Sequence, residues 1–105
     1  MKNTTYQRIL KKLIEAQKYN TQYYRHGQVT PPGWVPADVL MKPSIGGISA
    51  LRRVRELRAK GFRIEWKYFV LKDGTTTKTT LYKLITPYEK IDIKNLKIYS
   101  PMAIT

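Results

Sequence analysis

Apolar residues recur near the start of the chain at Tyr6, Ile9, Leu10, Leu13 and Ile14, a spacing of three and four that lines one side of an α-helix. Thr4 or Thr5 can cap the start, and Arg8, Lys11, Lys12, Glu15 and Lys18 fall on the other side. An amphipathic helix is therefore predicted over residues 4–19, with its apolar side on the core. Residues 20–33, NTQYYRHGQVTPPG, lose all periodicity and gather turn formers, which reads as a long loop. Trp34 and Val35 supply a short strand or an apolar lead-in. Pro36 then suits the first position of a short second helix over about 36–42, with Val39, Leu40 and Met41 as its apolar side and Pro43 ending it.

The stretch SIGGISALRRVRELRAKGFRI, residues 44–64, carries the densest signal. Ile48, Leu51, Val54 and Leu57, with Ala50 beside them, predict a third helix whose opposite side shows Ser49, Arg52, Arg53, Glu56 and Lys60, with Arg55 and Arg58 at its flanks. Gly61 can adopt the left-handed conformation just past the helix, and Phe62 then falls where it can touch Leu57. The period next changes to two in Ile64, Trp66, Tyr68 and Val70. A hairpin is predicted with strands near 63–71 and 78–85, joined through Asp73-Gly74. After the Thr86-Pro87 break, Ile91, Ile93, Leu96 and Ile98 alternate with charged residues, so that 86–105 reads as a C-terminal extension to a domain over 1–85 that adds a strand or crosses to a second subunit.

Charge sharpens this picture. The chain has 105 residues with 20 Lys and Arg against 7 Asp and Glu, a formal net charge of +13. Between Arg52 and Lys83 alone there are ten basic residues and three acids, so this segment carries +7 of the total. A face that only needed to be soluble would mix its signs, whereas this bias suits a polyanion. No apolar run is long enough to span a bilayer and no leader pattern is present, which makes a membrane the weaker partner and the cytoplasm, or the host cell interior for a viral protein, the expected location. Without cysteine, disulfides and thiolate zinc sites are excluded. The single His26 has no partner at a catalytic or metal-binding spacing, the acids are scattered, and Gly46-Gly47 lacks the Lys-Ser/Thr of a phosphate loop. Neither an enzyme nor a cofactor is expected.

Three helices followed by a hairpin, through QRILKKL, PADVL, RVRELRAKGFRIE and LYKL, resemble the winged helix-turn-helix class, and more narrowly the small helix-turn-helix proteins of bacteriophage and prophage genomes. The resemblance covers roughly residues 5–85. Its most specific part is Arg53, Val54, Glu56, Leu57, Arg58, Gly61, Phe62 and Ile64. It departs at the 20–33 loop, at the turn with Pro43 and Gly46-Gly47, and after Thr86. What it implies is an α+β fold with three helices and a two- or three-stranded β wing, and double-stranded DNA as partner, for a small transcriptional or replication regulator.

On that expectation the third helix enters the major groove. Lys42, Ser44, Gly46, Gly47, Ser49, Arg52, Arg53, Arg55 and Lys60 would contact DNA from the turn and helix, and Lys72 and Lys78 would touch phosphates from the hairpin. Glu56 is assigned to holding Arg53 or Lys60 in place. A homodimer is compatible with this reading. Two other readings stay open: docking of the basic face on an acidic host protein complex, and binding of RNA or a single strand through tyrosines such as Tyr23 and Tyr24.

Overall fold

The computed structural model describes residues 4–99 and shows an α+β fold. Helix α1 runs Thr4–Tyr19 as predicted, with Ile9, Leu10, Leu13 and Ala16 buried, while Tyr6 and Ile14 pack at the margin of the core. The loop after it is not irregular throughout. It folds into a small hairpin, β1 (Tyr24–Arg25) and β2 (Gln28–Val29), whose corner residues His26 and Gly27 both have positive φ, 54° and 78°. Two positive values in succession describe the tight primed turn that matches strand twist. Strand β3 (Val35–Pro36) follows, then α2, which at Ala37–Leu40 is shorter than the predicted 36–42.

A 3₁₀ turn at Gly47–Ser49 leads into α3, Ala50–Ala59. The predicted stop is met bond for bond: Gly61 has φ 109°, its N–H donates to the Arg58 carbonyl at 3.0 Å, and the Phe62 N–H donates to the Leu57 carbonyl at 3.2 Å. That is a Schellman closure, and Leu57 and Phe62 share the core beside it. Strands β4 (Ile64–Val70) and β5 (Thr76–Leu84) form the long hairpin, and β3 adds to it, giving an antiparallel sheet in the order β3-β5-β4. Pairing of Ile64 with Leu84, Trp66 with Tyr82 and Tyr68 with Thr80 puts these six residues on one face. Ile64 and Leu84, at the base, sink into the core with α1 and α3.

The other face of this sheet carries Phe69 and Leu81, both buried. The β1–β2 hairpin lies there. His26 Nε2 is 2.8 Å from Thr79 Oγ1, its ring stands 6.3 Å from that of Phe69, and Gln28 Oε1 accepts a bond from the Lys72 N–H at 3.0 Å. Trp34 extends the cover, with Lys67 Nζ 4.4 Å and Lys83 Nζ 5.8 Å from its ring centre. What looked like a loop thus closes the back of the long hairpin.

Of the expected extension 86–105, residues 100–105 lie outside the described residues. The described part makes a short ribbon of its own, β6 (Ile91–Asp92) with β7 (Lys97–Ile98), and Ile91 and Leu96 enter the same core. Helix α1 holds it through two amides: Gln17 Nε2 donates to the Leu84 and Thr86 carbonyls, at 2.9 Å each, while its Oε1 accepts from the Tyr88 N–H at 2.8 Å, and Gln7 Nε2 donates to the Lys94 carbonyl at 3.2 Å.

The turn between α2 and α3 crosses α1 closely. A Cβ placed on Gly46 would stand 2.7 Å from the Ala50 Cβ, 2.8 Å from the Leu40 carbonyl oxygen and 2.9 Å from Ile9 Cδ1. Gly46→Ala is expected to destabilise the protein by about 1–3 kcal/mol, as overpacked cores do, and to lower the thermal midpoint. An unchanged midpoint would mean the crossing can open without cost. Gln17→Leu keeps the volume but leaves two carbonyls and one N–H without partners, and a loss of about 1–3 kcal/mol is expected in denaturant unfolding.

Candidate functional site

Helix α3 presents its basic side differently from the prediction. Its buried line is Ala50, Val54 and Leu57, and Ile48, expected in the core, is 92% exposed in the preceding 3₁₀ turn. Relative to the stripe centred on Val54, the helix is rolled by about 35° at 100° per residue. Arg52, Arg55 and Arg58 are therefore exposed, and Ile48, Ser49, Leu51, Arg52 and Arg55 line a shallow depression on the outer surface. Among the described residues none of these arginines joins a salt bridge; the three ion pairs are Lys12–Glu15, Arg25–Asp38 and Arg53–Glu56.

Arg53 and Lys60 stand apart from that group, on the flank facing α1. Arg53 Nη1 is 2.6 Å from Glu56 Oε1, which also accepts a 2.5 Å bond from the Tyr6 hydroxyl. The Tyr6 ring lies under Arg53 at 5.5 Å and Lys60 at 5.8 Å. Bonds from Tyr6 and Arg53 to the carboxylate hold Glu56 below its ordinary pKa, and the Tyr6 hydroxyl, donating to that carboxylate, is held above its own. The expected pairing of Glu56 with Arg53 is present, with Tyr6 as an unforeseen third member.

The remaining predicted residues are dispersed. Ser44 lies with Arg8, Lys11, Lys12, Glu15 and Ile45 in a second depression beside α1, and Lys42 is exposed on the same turn. Arg8 Nε donates to the Ile45 carbonyl at 2.9 Å, tying this turn to α1. Gly46 faces inward, so its lack of a side chain serves the core and not an approach to a ligand; Gly47, at φ 66°, has open space around it. Lys72 and Lys78 are exposed near the tip of the β4–β5 hairpin, and Lys78 borders a depression with Ala37, Asp38, Met41, Thr79 and Thr80. Tyr23 packs against the core while Tyr24 is exposed.

Two groups were missed from sequence. Arg58, counted as a flank, joins the exposed arginines once the helix is rolled. Trp66 and Tyr68, read only as strand formers, are 49% and 48% exposed on the face of β4 that continues from the core. Their neighbour Tyr82 links that face to α3. Burial raises its hydroxyl pKa, and the charges of Arg55 and Arg58 pull it down, which sets both guanidiniums within electrostatic reach of the sheet. Tyr82 thus joins the aromatic face of β4 and β5 to the core that Val54 and Leu57 of α3 enter. The signal for the exposed Arg58 lay in Ala50: centring the buried line on Ala50, Val54 and Leu57 moves Arg58 off the apolar flank and out with Arg55.

Chemically, such a surface offers planar cations that fork onto phosphate or base-edge acceptors, next to flat apolar rings. Among the described residues no three His, Asp or Glu side chains gather as metal ligands would, and no helix is long and apolar enough to cross a membrane. Compared with protein-family models, curated proteins and solved structures, the chain matches none.

The Tyr6–Glu56 bond has a pH signature. A carboxyl whose folded pKa is lowered contributes stability that is fully present above its ordinary value of 4.5 and is lost as pH falls through the folded value. Tyr6→Phe is therefore expected to lower the melting temperature at pH 7, with the difference from the parent narrowing below the ordinary carboxyl range. A difference that stays constant into acid would show that Glu56 gains nothing from the hydroxyl.

Proposed function

We propose that the protein binds double-stranded DNA as a winged helix-turn-helix, with the outer side of α3 in the major groove and the β4–β5 hairpin as the wing against the backbone. The observation that carries this reading is the line of Arg52, Arg55 and Arg58 along the exposed side of α3, with no carboxylate partner among the described residues. The order of elements supports it: α1, β3, α2, a turn, α3, then the hairpin whose second strand pairs with β3. In that arrangement the third helix stands proud of the domain, held at its start by the Gly46 crossing and at its end by the Gly61 closure. The described tail packs beside α1 and leaves the three arginines exposed.

Within this reading the residues divide by role. Arg52 and Arg55, with Ser49 and Ile48 in the same depression, reach base edges: arginine forks onto guanine, and the isoleucine offers apolar contact to a thymine methyl. Arg58, Lys72 and Lys78 meet phosphates, as do Lys42, Ser44, Lys11 and Lys12 on the opposite side of the turn. Arg53 and Lys60 act through the Tyr6 and Glu56 cluster by fixing α3 on α1. As a DNA-bound regulator it would work in the cytoplasm, or inside the host cell if the chain is viral. The exposed Ile48 among cations favours one second reading, docking on an acidic protein surface with an apolar centre.

Anisotropy titration of random-sequence duplex at several salt concentrations tests the proposal. With about six phosphates neutralised, log K is expected to fall with log salt at a slope near −5. A flat response would remove duplex binding and leave the acidic-protein reading. Reversing charge at Arg52→Glu and Arg55→Glu together is expected to abolish binding with the melt nearly unchanged, whereas Arg53→Glu is expected to lower the melt because it sets two carboxylates side by side. Should the double variant unfold instead, those two arginines are structural.

A further inference from the structure

We propose that the aromatic face of the β4–β5 hairpin is a stacking site for an unpaired nucleobase, so that the preferred ligand is duplex DNA carrying a single-stranded segment. The proposal rests on the duplex reading for where α3 lies; the stacking site itself stands on separate observations.

Trp66, Tyr68, Thr80 and Tyr82 share one face of the hairpin by register, on the side that Ile64 and Leu84 continue into the core. Past that base the core ends. Trp66 and Tyr68 are left half exposed, on the outermost strand of the β3-β5-β4 sheet. Stability does not require them. The opposite face already buries Phe69 and Leu81 under His26 and Trp34, and an exposed strand position is served as well by Thr or Lys, which fill the neighbouring positions of β5.

The two rings meet edge to face, with centres 5.5 Å apart and planes at 86°. In a T-shaped pair the ring that offers its edge keeps both of its own faces free, so a third planar group can stack without breaking the pair. Tyr82, on the same face, packs against the core that α3 also enters, and the charges of Arg55 and Arg58 lower its hydroxyl pKa against the rise from burial. The one acid of β4, Glu65, pairs across to Lys83 on the opposite face. Flat apolar rings on a face that carries no carboxylate, in a chain of net charge +13, complement a single strand, whose bases supply ring faces and whose phosphates supply charge. An acidic peptide would use the arginines but gain little from open ring faces.

The chain has 2 Trp, so Trp34→Phe leaves Trp66 as the only reporter. This variant is titrated with blunt duplex, with the same duplex bearing a short oligothymidine overhang, and with the oligothymidine alone, and anisotropy is read on labelled DNA in parallel. The overhang is expected to quench Trp66 and to tighten binding by roughly tenfold over blunt duplex, the gain typical of one stacked base. Trp66→Ala is expected to lose that advantage while keeping blunt-duplex affinity and an unchanged melt. If Trp66→Ala fails to fold, 2-aminopurine as the first overhang base reads the same stacking on the parent protein.

Equal affinity for blunt and overhanging duplex, with no change at Trp66 or 2-aminopurine, overturns the stacking site while the duplex reading survives. Quenching by the single strand with no affinity for duplex supports the stacking site and overturns the duplex reading. Indifference to every oligonucleotide, with a response to polyglutamate, overturns both in favour of an acidic protein partner.

Discussion

The orientation of α3 depends on a contact that leaves no room for one carbon atom. Gly46 sits where the turn after α2 crosses α1, against Ala50, Ile9 and the Leu40 carbonyl, and its own N–H donates to that carbonyl at 2.9 Å. Because both Gly46 and Ala50 are small, the start of α3 tucks into the body of the domain. Rolling the helix back by about 35°, onto the stripe centred on Val54, would draw Ala50 out of the crossing and move Leu57 toward the edge of the buried face. An exposed isoleucine forgoes about 1.5–3 kcal/mol of burial. Ala50 and Leu57, both fully buried, oppose that roll, so the isoleucine stays outside and the arginines keep the outward position.

Carboxylate placement completes what the helix rotation begins. The only acid on α3, Glu56, is drawn to the α1 flank by the Tyr6 hydroxyl and Arg53. Asp38 is engaged by Arg25, at 2.8 Å, and Asp73 accepts from the Thr75 N–H at 2.9 Å inside the hairpin turn. Among the described residues Arg52, Arg55 and Arg58 are therefore left with no internal carboxylate to compete with an external anion. Concentrated charge of this kind raises encounter rates with a polyanion and weakens with salt. It adds nothing to the fold, since like charges on one side of a helix repel.

Much of the architecture was legible because it is written in strong local signals. The 3.6-residue period of α1, the Gly61-Phe62 stop and the Asp73-Gly74 corner each involve residues close in sequence, and each element lies within a few positions of its prediction. The misreadings share a physical cause. The stripe Ile48, Leu51, Val54 and Leu57 looks unbroken only if one helical period holds throughout. Ile48 belongs to a 3₁₀ turn, whose tighter winding at three residues per turn takes it off the α-helical stripe. The β1–β2 hairpin has strands of two residues, too short for any period, and its corner is His-Gly where Asn-Gly or Asp-Gly would have announced it. Gln17 gave no sign at all, because its partners are backbone groups 67 to 71 residues away.

The same long-range bonds explain how a small domain can hold two surfaces in fixed relation. Helix α3 is anchored at both ends, and the hairpin beside it is backed by a second layer, with His26 on Thr79 and Gln28 on Lys72. Gln17 joins α1 to the exit of β5, so the sheet cannot tilt without breaking bonds to the helix that supports α3. Association costs free energy for every side chain and element that must be ordered, and prior order reduces that cost. A flexible hairpin bearing Trp66 and Tyr68 would lose much of any stacking gain to its own ordering. Backed by β1 and β2, the strands that carry the rings are held by His26 on Thr79 and Gln28 on Lys72, so the stretch between α1 and β3 braces the face on the far side of the sheet.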